Sequence, residues 1–269
     1  MSDLHYATSV RPREDRRAGG AGRWTALLWA LANAFQALYT ALWSALWISI
    51  ALLVTALTWR RGPALALARR VWAPGLLIFR TRLEVSGRER IDLSRPYLFV
   101  ANHQSWIDIP ALFTALPVPL LFMAKRELAR VPFLGWYIQA MGMVFIERGA
   151  RQAGAASVGQ AAERLSQGFS VLSFPEGTRS RDGRVHRFKS AGFAAAIQAG
   201  VPVVPVALEG AGGVLPPGGF RPRPGTIRLT LGTPIPTAGL RRDDRADLAR
   251  RAEEAVADLH AAMQDQDRP

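Results

Sequence analysis

A histidine and an aspartate five residues apart, His103 and Asp108, have the types and spacing best suited to acid–base chemistry in this 269-residue chain. His103 directly follows Tyr97–Ala101, an apolar run that is typical of a buried strand. Ligands of open α/β sheets bind beyond the carboxyl ends of the strands, so a histidine in this position can serve as a general base. The other three histidines lie in a polar tail, a basic stretch and an amphipathic helix: His5, His186 and His260.

The spacing of this pair predicts the local structure that must hold it. On one continuous helix the two side chains would point about 140° apart, on different faces. A contact therefore requires a turn that leads from the strand into a helix start, which Pro110 favours because proline is tolerated in the first turn. Asp108 can then fix the tautomer of His103 and leave the other ring nitrogen free to accept a proton. The alternative is that Asp108 only caps its helix, while Ser105 is a cap and Trp106 a core residue.

A second cluster of candidate site residues follows another apolar segment, in the sequence Phe174-Pro-Glu-Gly-Thr-Arg-Ser180. Gly177 and Thr178 suit a tight turn whose backbone N–H groups face an anion. Arg179 supplies a fork of donors that matches phosphate, and Glu176 belongs to the same turn. More basic residues follow: Arg181, Arg184, Arg187 and Lys189. The alternative is an ordinary charged turn at the surface.

Two further segments are weaker candidates. Arg148 ends an apolar segment and either adds a second cation at the same sheet edge or is a solvated charge. Val201–Leu208 is apolar but contains two prolines, so a strand here is expected at a sheet edge or in an irregular ladder. The sequence has no cysteine, no G-x-S-x-G serine elbow, no P-loop and no cluster of metal ligands, which excludes the corresponding chemistries.

Short apolar strands alternate with helical stretches from Arg82 onward. This pattern predicts an α/β fold with a mixed, largely parallel sheet flanked by helices. The predicted strands are Leu83–Ser86, Tyr97–Ala101, Leu120–Met123, Met143–Glu147, Ser170–Phe174, Val203–Leu208 and Thr226–Leu231. The main predicted helices are Ala150–Gln167, Lys189–Ala199 and Asp243–Met263. Gly210–Gly225 is rich in proline and glycine and is predicted to be a long loop, suited to a lid or a membrane contact.

The N-terminal part of the chain predicts a membrane segment. Trp24–Trp59 contains 36 residues without charge, proline or glycine. One helix of that length measures roughly 54 Å, against about 30 Å of hydrocarbon in a bilayer. Tyr39–Trp59 is the best spanning window, with Tyr39, Trp43 and Trp59 placed as interfacial anchors. Ala64–Phe79, broken at Pro74-Gly75, is expected to be interfacial or re-entrant.

The predicted organisation is a disordered basic tail over 1–23, membrane-embedding helices over 24–80 and an α/β domain over 81–269. The alternative for 24–80 is a soluble helical hairpin packed on the domain core. A net charge of +13 is compatible with an anionic membrane surface or with nucleic acid. Basic residues gathered beside strand ends, without interleaved aromatic platforms, argue against nucleic acid as the partner.

Four blocks of this sequence, in order, resemble the motifs of the glycerolipid acyltransferase family. They are Asn102–Asp108, which contains Asn-His-x4-Asp, followed by Phe145–Arg148, Phe174–Arg179 and Val201–Pro205. The resemblance implies the family's α/β acyltransferase domain with an N-terminal helical pair in the membrane. It also implies that His103 is the general base, that Asp108 is its partner and that Arg148 and the third block hold the acceptor's phosphate. Val201–Leu208 would either line an acyl channel or belong to the core.

The activity implied by this resemblance is transfer of a fatty acyl group from acyl-CoA or acyl-carrier protein to the sn-2 hydroxyl of 1-acylglycerol 3-phosphate, which gives phosphatidic acid. No cofactor is expected, and the expected partners are the lysophospholipid, the acyl carrier and membrane lipid. The implied location is the inner membrane, with the catalytic domain facing the cytoplasm. Two arginines and the Gly177–Thr178 turn match a phosphate dianion, so lysophosphatidate is the expected acceptor. Another lysophospholipid, a lyso-aminolipid or glycerol 3-phosphate remains the alternative acceptor.

Overall fold

The computed structural model describes residues 18–77, 81–146, 151–216, 220 and 222–265. Its N-terminal helices are α1 (Ala18–Thr58), α2 (Arg61–Leu67) and α3 (Ala73–Leu76), with a π-helical turn over Ala68–Trp72 between the last two. The predicted disordered tail lies mostly outside the described residues, but α1 already begins at Ala18, inside that predicted tail.

The strands of the described residues form one seven-stranded sheet in the order β1-β7-β6-β2-β5-β3-β4. Their bounds are β1 Thr81–Ser86, β2 Leu98–Ala101, β3 Leu120–Lys125, β4 Val144–Ile146, β5 Ser170–Ser173, β6 Val203–Glu209 and β7 Gly225–Leu231. The pairings between these strands are parallel except that of β6 with β7. The seven predicted strands and the largely parallel sheet are therefore confirmed, with small shifts at the strand ends.

Helices cover both faces of this sheet. They are α4 Asp108–Ala115, α5 Leu134–Met141, α6 Arg151–Ser166, α7 Phe193–Ala199, α8 Ala211–Val214 and α9 Arg245–Asp265. Alternate residues of a strand point to opposite faces. Phe99 and Ala101 therefore pack with the core beneath α1 to α5, and Leu98 and Val100 pack with the core beneath α6, α7 and α9. The predicted loop Gly210–Gly225 contains the short helix α8, and its residues 217–219 and 221 lie outside the described residues.

β6 lies inside the sheet, between β7 and β2, although it contains Pro205. Val203 forms an isolated antiparallel bridge with Ile235, and the regular ladder with β7 resumes only after Pro205. Pro205, two residues on, faces the same side as Val203 and accepts a hydrogen bond from the N–H of Gly232 at 2.8 Å. Its missing N–H thus falls at a break in the ladder. The sheet-edge alternative is wrong, and the irregular-ladder alternative is confirmed.

The helical stretch 61–76 returns antiparallel along α1 to form a hairpin. Tyr39 Oη donates to Gly75 O at 3.2 Å, and Trp43 Nε1 donates to Trp72 O at 3.1 Å. A Cβ atom at Gly75 would lie 2.3 Å from the Trp43 indole, so this approach requires glycine. The predicted break at Pro74-Gly75 is wrong, because the helical path continues to Leu76, and Pro74 lies where the π-helical turn passes into α3.

One face of the hairpin packs on the domain, and the rest is exposed and apolar. Ile48, Ala51 and Leu65 belong to the core. The exposed side chains include Trp24, Leu27, Leu28, Trp29, Leu31, Phe35, Leu38, Leu42, Leu46, Leu53, Leu57 and Trp59. Among the described residues, Leu27–Thr58 is the one helix long and apolar enough to cross a membrane, and only 11% of its best window is buried. An apolar surface of this extent does not suit a soluble hairpin, so the protein associates with membranes.

Candidate active site

The predicted contact between the histidine and the aspartate is present at the carboxyl end of β2. His103 Nδ1 lies 2.7 Å from Asp108 Oδ2. Asp108 is the first residue of α4, so the chain passes from the strand through a turn into a helix start, as the spacing predicted. Within the described structure, no residue hydrogen-bonds Nε2 of His103, whose side chain is 14% exposed. This nitrogen can therefore reach a substrate.

Three donors hold the Asp108 carboxylate in place. Oδ2 accepts from His103 Nδ1 and from the backbone N–H groups of Gln104 at 2.7 Å and Ser105 at 2.8 Å. The side chain is fully buried, and its position at a helix N-terminus favours negative charge. Because the carboxylate faces Nδ1, that nitrogen carries the proton and Nε2 is the basic one. Asp108 thus does more than cap a helix.

The orientation of His103 is supported from two sides. The Asn102 side-chain amide makes two hydrogen bonds to the backbone of Leu208. It donates to the carbonyl oxygen at 2.9 Å and accepts from the N–H at 2.7 Å. This ties the end of β2 to β6. The His103 ring stacks on Phe174, with centroids 4.1 Å apart and planes 18° apart. The imidazole is therefore confined before a substrate binds.

The predicted turn after β5 lies beside this pair. Gly177 adopts φ +74°, which favours glycine, and its N–H donates to Phe174 O at 3.0 Å. That N–H closes the turn, so it is not available to an anion as the sequence had suggested. Thr178 is exposed. The N–H of Ser180 donates to the backbone O of His103 at 2.7 Å, which joins the two loops.

Glu176 from the same turn is buried against the catalytic loop. Its Oε1 accepts from the backbone N–H of His103 at 3.2 Å, and Oε2 has no hydrogen-bond partner among the described residues. Burial raises the pKa of Glu176 to about 7, although the hydrogen bond from His103 and the nearby His186 oppose that rise. A partly protonated Glu176 lowers the negative charge near Asp108.

Arg179 lies over the Trp106 ring, with its guanidinium carbon 4.8 Å from the ring centroid. Trp106 is 52% exposed, so its interpretation as a core residue is wrong. A cation on an indole face gains from the ring quadrupole, and this contact places the Arg179 donors beside the loop of the base. Arg148 lies outside the described residues. The remaining basic residues of this region are exposed: Arg181, Arg184, Arg187 and Lys189.

An apolar cavity of about 370 Å³ begins at this loop and extends beneath the hairpin. Trp106, Ile107 and Pro110 line it on the side of the base. The hairpin, β3 and α5 supply most of the other lining residues, which include Trp47, Ala51, Ala68, Trp72, Phe122, Leu134 and Tyr137. Val201–Leu208 does not line this cavity and belongs to the core. The space suits a flexible hydrocarbon chain.

Known proteins resemble this chain over most of the α/β domain. A family model described as "Acyltransferase" matches residues 82–209. The 1-acyl-sn-glycerol-3-phosphate acyltransferase of Pseudomonas aeruginosa is 35% identical over 68% of this chain and 70% of its own length. The chain belongs to the acyltransferase family. The lyso-ornithine lipid O-acyltransferase of the same bacterium is 38% identical over 60% of this chain and 67% of its own length.

The resemblance of this acyltransferase family member extends to the fold. The 1-acyl-sn-glycerophosphate acyltransferase of Thermotoga maritima superposes with a TM-score of 0.72 at 28% identity, over 88% of this chain and 98% of that one. Several plant and algal relatives are longer, and the chain spans only 61% of one and 47% of another.

Three contributors to this acyltransferase site were not predicted from the sequence. Phe174 stacks on the His103 ring, Trp106 lies under Arg179, and Gln104 holds Asp108 through its backbone N–H. Each lies next to a predicted site residue in one of the sequence blocks, which is the signal that identifies them.

Proposed function

We propose that the protein is a lysophosphatidate acyltransferase, which transfers a fatty acyl group from acyl-CoA or acyl-carrier protein to the sn-2 hydroxyl of 1-acylglycerol 3-phosphate. The observation that carries the proposal is the His103–Asp108 pair, which leaves Nε2 free in the loop whose Trp106 lines the apolar cavity and lies under the Arg179 cation. An acyl transfer between lipids needs a base, a place for a hydrocarbon chain and a counter-charge for a phosphate.

The reaction follows from the geometry of the pair. Nε2 of His103 removes the proton of the acceptor hydroxyl as the oxygen attacks the thioester carbonyl carbon. The resulting imidazolium is stabilised by Asp108 through Nδ1. When the tetrahedral intermediate collapses, the C–S bond breaks and the thiolate takes the proton back from Nε2. The base returns to its starting state, and no covalent enzyme intermediate forms.

Arg179 and Arg148 are proposed to hold the acceptor phosphate. Arginine presents several donors in a planar fork, which matches phosphate oxygens and orients the lipid. The partly protonated Glu176 next to the base avoids a full negative charge close to that phosphate. These contacts orient the lipid so that its hydroxyl lies within reach of Nε2. Holding the reactants in this geometry lowers the activation barrier of the transfer.

A lyso-ornithine lipid is the second candidate acceptor. The relative that bears that name is slightly more similar to this chain, 38% identical against 35% for the lysophosphatidate enzyme of the same bacterium. The amino acid ornithine carries amines as well as a carboxyl group, so this acceptor could use a carboxylate of the site in addition to an arginine. Glu176 is the candidate for it, since its Oε1 accepts from the backbone N–H of His103 and its buried Oε2 has no partner among the described residues.

Purified protein in mixed micelles tests both candidates. Acyl-CoA and acyl-carrier protein are offered separately with lysophosphatidate, lysophosphatidylcholine, lyso-ornithine lipid and glycerol 3-phosphate, and the products are identified by mass spectrometry. We expect the highest kcat/KM with lysophosphatidate and no product with His103→Ala. A higher kcat/KM for lyso-ornithine lipid would keep the reaction and replace the acceptor. Full activity in His103→Ala would reject the mechanism.

The proposed location is the inner membrane, with the α/β domain on the cytoplasmic side, where acyl-CoA and acyl-carrier protein are made. The exposed apolar side chains of α1 contact lipid in this arrangement, and the cavity beneath the hairpin lies next to the acyl chains of the bilayer. Protease accessibility of the α/β domain in inside-out and right-side-out vesicles tests the orientation.

A further inference from the structure

A second histidine–carboxylate pair lies directly behind the catalytic loop. His260 Nε2, on α9, contacts Glu209 Oε2 at 2.5 Å, and Glu209 is the last residue of β6. The His260 side chain is 6% exposed and that of Glu209 is 24% exposed. β6 is the parallel neighbour of β2, so Glu209 reaches the same sheet edge as His103. The proposed reaction does not use this pair.

Gln104 connects the second pair to the first. Its backbone N–H donates to Asp108 Oδ2 at 2.7 Å, and its side-chain Nε2 lies 3.3 Å from His260 Nε2. Burial by itself raises the pKa of Glu209, but the hydrogen bond and charge of His260, with hydrogen bonds from the Gly210 N–H and the Gln104 side chain, leave that pKa lowered. The side chains of His260 and Gln104 therefore both donate to this carboxylate.

The other contacts of the Gln104 side chain are long. Its Oε1 accepts from the Gly212 N–H at 3.4 Å, and its Nε2 lies 3.5 Å from Gly183 O. Such distances are at the limit of a hydrogen bond and fix an amide poorly. The position of the Gln104 side chain therefore depends mainly on the His260–Glu209 pair, whose own contact is short.

We infer that Glu209 and His260 are positioning residues, which hold Gln104 so that its backbone N–H keeps Asp108 aligned with His103. The inference rests on the proposed function, because it assigns a role in the same reaction. Neither residue touches the substrate or the reacting atoms. Their effect passes through one side chain and one backbone N–H to the carboxylate that orients the base.

Packing alone does not explain a histidine at this position of α9. The other buried residues of the helix are apolar: Leu248, Ala249, Ala252, Val256 and Met263. Burying a polar ring costs free energy unless it is paired, so a leucine at position 260 would satisfy a purely structural role at least as well. Glutamine, in contrast, places an N–H donor close to the site of His260 Nε2.

Two variants of similar size separate these roles. If His260 positions Gln104, His260→Leu lowers kcat roughly 10-fold with little change in either KM, the loss expected when one supporting hydrogen bond is removed. His260→Gln recovers most of that kcat, and Glu209→Leu behaves like His260→Leu. Met263→Ala loosens the same helix without touching Gln104 and serves as the matched control. It is expected to lower the melting temperature and to keep kcat.

A second readout does not require turnover. The Nδ1 proton of His103, hydrogen-bonded to Asp108, gives a low-field ¹H resonance that disappears in His103→Ala and is assigned in this way. We expect it to broaden or shift in His260→Leu and to persist in His260→Gln and Met263→Ala. An unchanged resonance together with normal kcat in His260→Leu would overturn the inference. If wild-type protein acylated no acceptor, the proposed function would fail while the resonance still reported on the positioning.

Discussion

Asp108→Asn separates the charge of this side chain from its shape. Oδ2 of Asp108 accepts from His103 Nδ1 and from two backbone N–H groups. If the asparagine amide were flipped, its NH₂ group would face the N–H donors of Gln104 and Ser105, which is unfavourable. Its oxygen is therefore expected to take the position of Oδ2. The tautomer of His103 is then preserved, and only the negative charge is lost.

The magnitude follows from the difference between charged and neutral hydrogen bonds. Charged ones contribute about 1.5–3 kcal/mol and neutral ones about 0.5–1.5 kcal/mol, so the imidazolium loses about 1–2 kcal/mol of stabilisation. This predicts a decrease in kcat of roughly 5- to 30-fold. Asp108→Ala, in contrast, leaves the N–H groups of Gln104 and Ser105 without an acceptor, which costs about 1–3 kcal/mol each. It should lower both kcat, by at least about 100-fold, and the melting temperature.

The assay is steady-state kinetics with each substrate varied, beside thermal unfolding of the same preparations. Asp108→Asn is expected to unfold close to the wild-type temperature, because the other carboxylate oxygen, Oδ1, already lacks a partner among the described residues. His103→Ala gives the activity floor. If Asp108→Asn fell to that floor while remaining as stable as the wild type, the backbone donors would not fix the amide, and our account of the tautomer would be wrong.

Three further outcomes are expected. Because burial raises the pKa of Glu176 from 4.5 to about 7, the folded protein keeps a proton that the unfolded chain releases. The free energy of unfolding should therefore fall as pH rises through that window, by at most about 3 kcal/mol, and Glu176→Gln should abolish the decline in denaturant titrations at a series of pH values. Arg179→Ala should weaken acceptor use by about 1.5–3 kcal/mol and leave the thioester KM unchanged, which kinetics with separately varied substrates would show. Ala68→Phe fills part of the cavity wall and should shift preference toward shorter acyl-CoA chains in competition assays, whereas unaltered chain selectivity would place the acyl chain elsewhere.

The parallel strands and the contact between His103 and Asp108 were predictable because their signals are local. A strand such as β2, buried on both faces, must be apolar throughout, and the sequence around Phe99 shows this directly. His103 and Asp108 needed only a strand end and a helix start between them, and Pro110 marked that start. In each case the deciding residues are close together in the chain.

The features that the sequence left open or missed depend on contacts between distant segments. Pro205 is tolerated inside the sheet only because the ladder with β7 breaks beside it. Trp106 is half-exposed rather than buried, and the residue that lies over its ring, Arg179, comes from another strand end. The role of His260 depends on Glu209 and Gln104, which lie far away in sequence. Spacing along the chain carries no signal for such partners.

The position of His103 explains how one site could bind both an apolar acyl chain and a charged phosphate. Cavity and cation meet at the loop of His103, since Trp106 lines the apolar cavity and also supports Arg179. A fatty chain extending under the hairpin and a phosphate held by Arg179 would therefore both lie next to the Trp106 side chain. In the acyl thioester, the carbonyl carbon lies between the apolar chain and the polar carrier. In the acceptor, the hydroxyl lies between the acyl chain and the phosphate. We expect these two atoms to meet in the loop of His103, where the apolar cavity gives way to a cationic surface and where Nε2 is free to accept a proton.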